Sequence, residues 1–337
     1  MLSRLSPFPR GMPAPTSASP THGIALMLLA MLLFSASDVI AKLLTARLDP
    51  VQIVWGRYLF NSALVVALVA VRLFPSPLGA SRPVLQLARG VGMLGSAVIF
   101  VTALGSVPVA MATAVGFVSP LFIMALSIPV LGEQVGWRRW TAAAVGFTGV
   151  LVIARPGAAD FNPMVLVPLA SAACWAVAIV LTRRMGEDEA PERTYSWTVL
   201  SGLAGASLLV PLVWVTPTVG EWNLIAVLGL LAGVGQYAVL RACLYLPASS
   251  LAPLSYSQMV WALTLGFAVF STVPDGMTLL GAAVIVGSGV YIALRERRVG
   301  PRQRAFGPPV LDPATEAVDR PSLVEEMLPR MAVAGDR

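Results

Sequence analysis

The chain has 337 residues, of which 57% are hydrophobic and 12% are charged, and its formal net charge is +6. Soluble domains carry about 25% charged residues, so this composition excludes a soluble globular protein. The net positive charge does not indicate nucleic-acid binding, because the arginines lie between apolar blocks and form no basic stripe.

Apolar blocks of about 20 residues, the length at which a helix crosses the hydrocarbon core of a bilayer, recur along the chain. The expected fold is therefore an all-α polytopic membrane protein. The blocks predict ten transmembrane helices, at 23–45, 51–74, 84–104, 108–131, 137–155, 163–182, 194–214, 222–245, 248–271 and 276–295. Residues 1–22 are expected to form a cytoplasmic tail. Residues 296–337, which are polar and contain proline and both signs of charge, are expected to form a disordered cytoplasmic tail.

Basic residues fall almost entirely on one side of these predicted helices. That side carries Arg4, Arg10, Arg72, Arg82, Arg138, Arg139, Arg183, Arg184, Arg193, Arg295, Arg297 and Arg298. Connections on the other side carry only Arg47 and Arg155. Since cytoplasmic loops are enriched in lysine and arginine, we expect a multi-pass inner-membrane protein with both termini in the cytoplasm.

Two segments of the first half match segments of the second. TAAAVGFTGVLVIARPG (141–157) aligns with GAAVIVGSGVYIALRER (281–297), and SVPVAMATAVGFVSPLF (106–122) aligns with YLPASSLAPLSYSQMVW (245–261). Each half, 23–155 and 163–295, then has five helices, and because five is odd the second half enters the membrane from the opposite side. Such an inverted repeat is typical of secondary transporters, whose substrate site lies near the bilayer midplane. A chance match between glycine-rich apolar stretches is the alternative.

Six segments carry a resemblance to a known family. They are VWGRYLF (54–60), VPVAMATAVGFVSPLFIMALSIPVLGE (107–133), GVLVIARPG (149–157), PASSLAPLSYSQMVWALTLGFAVF (247–270), VPD (273–275) and GAAVIVGSGVYI (281–292). Over residues 23–296 the chain resembles the drug/metabolite transporter superfamily, of the type with two EamA-like halves. The resemblance implies secondary transport of small organic metabolites such as amino acids, vitamins, nucleotide-related compounds or drugs. In one departure, Glu133 has only Ser271-Thr272 near its counterpart, so the second half cannot mirror any chemistry of Glu133.

Charged residues inside the predicted membrane spans need a partner or a wet cavity. Asp38 in the first span and Arg57 in the second lie about equally far from the turn that joins them. We therefore predict that Asp38 faces Arg57 roughly 10 Å into the membrane, with Lys42 nearby. The pair is either a static lock on the hairpin or part of a cavity where a substrate or proton competes for one member.

Further polar and aromatic residues inside the spans complete the candidate site. Arg89 and Arg241 lie near the cytoplasmic ends of their helices, where they either reach lipid headgroups or attract an anionic group of a substrate. The ninth span contributes LSYSQMVW (254–261), and Phe117 matches Tyr256 in the repeat. The candidate substrate-binding residues are Asp38, Arg57, Arg89, Phe117, Trp175, Tyr237, Arg241, Tyr256, Ser257, Gln258 and Trp261, with Asn61 as a weaker candidate. Helix-on-helix packing is the alternative role for the polar and aromatic members.

The sequence lacks the residues that phosphate-binding loops, histidine metal sites and histidine-dependent catalysis need. Lys42 is the only lysine and lies in no phosphate-binding loop, and His22 is the only histidine. We expect no catalytic residues, no metal site and no cofactor. We interpret the chain as a secondary active transporter that moves a small metabolite (an amino acid, vitamin or nucleotide-like compound) across the inner membrane by alternating access. Proton coupling and a homodimer are left open. The alternative is a membrane-embedded enzyme acting on a lipid-linked substrate.

Overall fold

A computed structural model describes residues 20–75, 79–132, 136–155, 162–186, 189–246 and 248–304. Within these ranges the regular structure is helical and includes no strand. The α-helices are α1 (Pro20–Leu44), α2 (Pro50–Ala70), α3 (Pro83–Leu104), α4 (Val109–Gly116), α5 (Ser119–Leu131), α6 (Trp137–Ala154), α7 (Val167–Met185), α8 (Pro191–Leu209), α9 (Val219–Tyr245), α10 (Ala248–Ser255), α11 (Ser257–Phe270) and α12 (Gly276–Arg304). Short 3₁₀ turns precede α7 and follow α8, at Pro163–Leu166 and Val210–Leu212.

Seven helical segments among the described residues are long and apolar enough to cross a membrane. They are Thr21–Leu44, Pro50–Ala70, Pro83–Leu104, Val109–Leu131, Pro163–Met185, Pro191–Leu212 and Val219–Tyr245. Two shorter apolar helices follow, at Trp140–Ala154 and Gly276–Tyr291. The predicted class, a polytopic all-helical membrane protein, is thereby confirmed, whereas the count of ten crossings stays a prediction.

The fourth and ninth predicted spans are interrupted helices. The regular α-helical pattern is interrupted by a turn between α4 and α5, at Phe117 and Val118, and again between α10 and α11, at Tyr256, although all three residues keep right-handed helical dihedral angles. In the first case Pro120 occupies the first turn of α5, where a residue without a backbone N–H is tolerated. The two interruptions lie inside the fourth and ninth predicted spans, at residues that the repeat aligns with each other.

Side chains close the ends of several helices. Asp49 accepts a hydrogen bond from the backbone N–H of Val51 at 2.8 Å and thereby caps α2. Thr218 and Glu221 form a capping box at the start of α9. These caps fix where the α1–α2 hairpin turns and where α9 begins, and so set the depth of the residues that follow.

Antiparallel helix pairs join the first half of the chain to the second. In α3 and α7, Arg89 contacts Thr182 and Ser96 contacts Ser171, so residue numbers rise along one helix as they fall along the other. The α1–α9 pair shows the same order, because Ser37 donates to the Leu228 carbonyl and Gly23 lies against Tyr245.

Small residues bring α9 close to α2. A Cβ atom on Gly229 would lie 2.9 Å from the Arg57 carbonyl oxygen, and one on Gly233 would lie 2.8 Å from Asn61 Oδ1. These glycines, which belong to the GLLAG segment (229–233), permit the close approach of two backbones that is common between membrane helices.

Contacts divide the chain into two units, Met1–Leu294 and Arg295–Arg337. In the second, residues 295–304 continue as helix, in keeping with the helix-forming arginine and glutamate residues after Leu294. The rest of the predicted C-terminal tail, residues 1–19 of the predicted N-terminal tail, and Glu133 lie outside the described residues.

Candidate functional site

The α1–α2 hairpin carries Asp38 and Arg57 at similar depth. Asp38 lies six residues before the end of α1 at Leu44, and Arg57 lies seven residues after the start of α2 at Pro50. At 1.5 Å per residue, both lie about 10 Å from that end of the bundle. The hairpin therefore holds an acid and a base at one level within the helices.

The carboxylate of Asp38 is buried and is bound by a residue of α11. Asp38 is 9% exposed, and its Oδ2 accepts a hydrogen bond from Gln258 Nε2 at 3.3 Å. One turn earlier in α1, Ser35 Oγ donates to the Gln258 carbonyl oxygen at 3.0 Å. Two contacts thus fix the start of α11, next to the interruption at Tyr256, to α1.

The guanidinium group of Arg57 is half-buried and has no direct partner in the part of the chain that the structure describes, neither a hydrogen bond nor an ion pair within 4.0 Å. Its charge acts through space on the Asp38 carboxylate and on the hydroxyl groups of Tyr58 and Tyr195. Asp38 and Arg57 therefore interact without closing into an ion pair. An unpaired cation at this depth is costly unless water or a ligand reaches it.

Asn61 lies one turn beyond Arg57 on the same face of α2. Its Oδ1 accepts a hydrogen bond from the Tyr195 hydroxyl at 2.5 Å, which orients the amide. Phe74 packs edge-on against Tyr195, with ring centroids 6.3 Å apart. Tyr195 was not predicted, although a tyrosine inside the seventh span was a signal, since a buried hydroxyl needs a partner.

The two helix interruptions meet through an aromatic pair. The rings of Phe117 and Tyr256 have centroids 5.0 Å apart and are inclined by 50°. The Ser257 hydroxyl, next along the chain, is buried without a hydrogen-bond partner in the described residues. Phe117, Tyr256, Ser257 and Gln258, all predicted from the sequence, thus lie at or beside the two interruptions.

Lys42, one turn beyond Asp38, binds backbone rather than an acid. Its Nζ donates to the carbonyl oxygens of Leu104 and Val107, both at 2.7 Å, and lies 5.6 Å from the centre of the Phe270 ring. A cation at carbonyl groups that end a helix is favourable because those groups carry a partial negative charge. Lys42 therefore ties α1 to the joint between α3 and α4.

The two remaining predicted arginines differ from each other. Arg89 donates from Nε to Thr182 Oγ1 at 2.7 Å and from Nη1 to the Thr194 carbonyl oxygen and the Thr198 hydroxyl, so it clamps α3 to α7 and α8. Arg241 is exposed on α9. The structure does not bring these two cations onto a common partner among the described residues.

The three other predicted aromatic residues pack against aromatic or apolar side chains or are exposed. Tyr237 packs against Phe74, with centroids 6.0 Å apart. Trp261 packs against a second apolar cluster made by α1, α9 and α10, and Trp175 is 42% exposed. Their part in a site stays a prediction. Within the described residues, no three histidine, cysteine, aspartate or glutamate side chains lie together as metal ligands.

Comparisons with known proteins identify the family. A sequence profile of the EamA-like transporter family matches residues 21–155 and 162–294. The S-adenosylmethionine uptake transporter of Rickettsia conorii is 30% identical over 279 residues, which cover 82% of this chain and 94% of that protein. The riboflavin transporter of Rhizobium johnstonii is 29% identical and covers 82% of this chain and 92% of its own. The pseudopaline exporter of Pseudomonas aeruginosa is 29% identical, with 78% and 93% covered.

A solved crystal structure shares the fold at a TM-score of 0.59 and 24% identity, covering 83% of this chain and 99% of its own. The named relatives are transporters of small molecules rather than enzymes, in agreement with the expectation that this chain is not an enzyme. The chain belongs to the EamA-like transporter family.

Proposed function

We propose that the chain is a secondary active transporter for S-adenosylmethionine or a similar amino acid that carries a nucleoside. In this proposal the substrate crosses the inner membrane by alternating access between two inverted five-helix halves. The observation that carries the proposal is the arrangement of Asp38 and Arg57, an acid and a base at one depth that form no direct ion pair within 4.0 Å.

The chemistry of S-adenosylmethionine fits these groups. Its amino-acid end has a carboxylate, which suits the unpaired guanidinium of Arg57, and an ammonium, which suits Asp38. Its sulfonium and its adenine ring suit aromatic faces such as those of Phe117 and Tyr256. A relative that is named for uptake of this compound is 30% identical over nearly its whole length.

A pair of matching contacts supports the inverted repeat. A Cβ atom on Gly95 would lie 3.7 Å from Cys174 Sγ, and one on Gly235 would lie 2.9 Å from Cε1 of Phe34. Gly95 and Gly235 are 140 residues apart, and so are Phe34 and Cys174. A shift of 140 residues thus relates α1 to α7 and α3 to α9, so the α3–α7 contact and the α1–α9 contact are equivalent. This is expected if two similar halves pack against each other through the same pair of helices.

The charge distribution supports cytoplasmic termini. The two arginines on the sparsely charged side both pair with acids, Arg47 with Glu221 at 2.5 Å and Arg155 with Asp275. Because the orientation rule counts lysine and arginine and depends little on acids, the small number of arginines on this side carries the argument, and the opposite, arginine-rich side is the one that faces the cytoplasm.

Asp38 offers a means of coupling transport to protons. Its carboxylate, when charged, accepts the Gln258 hydrogen bond and faces the charge of Arg57. A proton on Asp38 would weaken both interactions, and with them the contact between α1 and α11. We therefore include proton coupling in the proposal.

Uptake into proteoliposomes tests the proposed function. With a pH gradient imposed across the liposome membrane, the purified protein should accumulate radiolabelled S-adenosylmethionine, recovered chemically unchanged, and an excess of unlabelled compound should compete. Riboflavin serves as the comparison solute. Accumulation of riboflavin alone would replace the proposed substrate, and chemical conversion of a lipid-linked solute without uptake would contradict transport.

A further inference from the structure

Two adjoining cavities of about 220 Å³ each lie at the end of the bundle where α6 ends and α12 begins. Pro108, Met111, Asp275 and Thr278 line both, and we call the space that they enclose the vestibule. It lies between α4 and α6 of the first half and the start of α12 in the second. It is separate from Asp38 and Arg57, which do not line it.

Two buried polar atoms of the vestibule lack a partner. Thr278 is only 2% exposed, yet its Oγ1 makes no hydrogen bond within the described residues. The same holds for Nε of Arg155, which lines the second cavity. Buried polar atoms without partners are rare in folded proteins and need an explanation, so two such atoms on residues that line one cavity are candidate donors to a bound acceptor group.

An acid completes the set of polar groups. Asp275 pairs with Arg155 through Nη2, and its Oδ1 accepts from the Thr278 backbone N–H at 3.1 Å. The side chains of Arg155 and Asp275 remain 36% and 50% exposed, so a solute can reach both. The vestibule thus offers two unfilled donors beside an accessible carboxylate.

We propose that the vestibule is a second binding site, for the zwitterionic head of an α-amino acid. The carboxylate accepts hydrogen bonds from Arg155 Nε and Thr278 Oγ1, and the ammonium lies against the exposed edge of Asp275. Pockets for drug-sized ligands measure about 300–1,000 Å³, so each cavity suits an amino acid or the amino-acid end of a larger solute.

The vestibule also adjoins the route toward Asp38. Val107 lines it, and the Val107 carbonyl oxygen accepts the hydrogen bond from Lys42, one turn from Asp38. A solute bound in the vestibule therefore lies at one end of the bundle, next to Val107, which Lys42 connects to the helical turn that contains Asp38.

A thiol-protection experiment tests the second site without requiring transport. Met111→Cys places a thiol in the cavity wall of the full-length protein, in which Cys174→Ala and Cys243→Ala remove the native thiols. L-methionine is the probe. At ten times its apparent Kd it should slow labelling of the new thiol about tenfold, because the free fraction falls by that factor.

Variants then locate the protection. Thr278→Val and Arg155→Gln should abolish it and Thr278→Ser should retain it, each in protein whose thermal unfolding has been checked. L-methionine amide, which lacks the carboxylate, should not protect. The proposal is overturned if L-methionine gives no protection, if Thr278→Val is still protected, or if the amide protects equally.

One further variant separates the two sites. Arg57→Ala should leave vestibule protection unchanged, and loss of protection in that variant would assign the effect to the Asp38–Arg57 site instead. Protection together with absent S-adenosylmethionine uptake would contradict the proposed function while leaving the second site supported.

Discussion

The Tyr256 hydroxyl lies where a Cβ atom of Gly289 would be, within 1.7 Å of it, so that α12 has room for this tyrosine only because residue 289 is glycine. The ring of Tyr256 also meets Phe117, its counterpart in the first half. Gly149 is the counterpart of Gly289, but it faces Gly281 and Ile285 instead of an aromatic ring. The two halves therefore hold their interrupted helices differently.

Gly289→Ala should destabilise the protein by about 1–3 kcal/mol, because the added methyl group overlaps the Tyr256 side chain. Gly287→Ala is the matched control, since a Cβ atom there meets nothing within 4 Å. Thermal unfolding of the purified variants measures the difference. In a Tyr256→Ala background the added Gly289→Ala change should cost no further stability, and equal unfolding temperatures for the two single glycine variants would refute this packing.

Lys42→Met should lower the free energy of unfolding by about 2 kcal/mol, because two backbone carbonyl groups lose a charged donor of about 1.5–3 kcal/mol each and Lys42 is only half-buried. Arg241→Met is the control, since Arg241 is exposed and makes no hydrogen bond or ion pair in the described part of the chain. Denaturation in detergent compares the two. Wild-type stability in Lys42→Met would mean that the lysine only reaches toward solvent.

Asp38→Asn keeps an oxygen for Gln258 but cannot exchange a proton. If Asp38 couples transport to protons, this variant should retain exchange of labelled for unlabelled substrate across the liposome membrane. It should lose accumulation driven by a pH gradient. Full gradient-driven accumulation in the variant would exclude Asp38 as the coupling group.

The helix positions and the depth of the α1–α2 hairpin follow from the sequence, because apolar length and turn residues determine both. Residue counting from the turn places Asp38 and Arg57 at one level without knowledge of the fold. The partner of Asp38, Gln258, could not be found this way, since 220 residues separate the two.

The inward face of each helix was also hard to predict. Lipid and protein interior are equally apolar, so hydrophobic periodicity does not distinguish them. For this reason Arg241 and Trp175, which are polar or aromatic residues inside a span, were predicted to line a site just as Asn61 was. Asn61 is buried, whereas Arg241 and Trp175 are exposed. Pro120, three residues after Phe117, indicates the first interruption in the sequence. No proline follows Tyr256 within the same distance.

Accessibility to an impermeant thiol reagent tests the inverted repeat. Ala46→Cys lies between the first two spans, and Arg184→Cys lies at an exposed position in the last turn of α7, next to the connection between the first two spans of the second half. In protein lacking the native cysteines, the reagent should label residue 46 from outside intact cells and residue 184 only after the membrane is opened. Labelling of both from the same side would show that the halves are parallel.

Binding of S-adenosylmethionine to Arg57→Ala, with Arg241→Ala as the matched control, tests the central claim most directly. Loss of a charge-assisted hydrogen bond worth about 1.5–3 kcal/mol should weaken binding about 10- to 100-fold in Arg57→Ala and leave Arg241→Ala unchanged. Equilibrium dialysis of the purified proteins, both with wild-type unfolding temperatures, measures this. Equal affinity in the two variants would contradict the claim that the unpaired guanidinium of Arg57 receives the substrate.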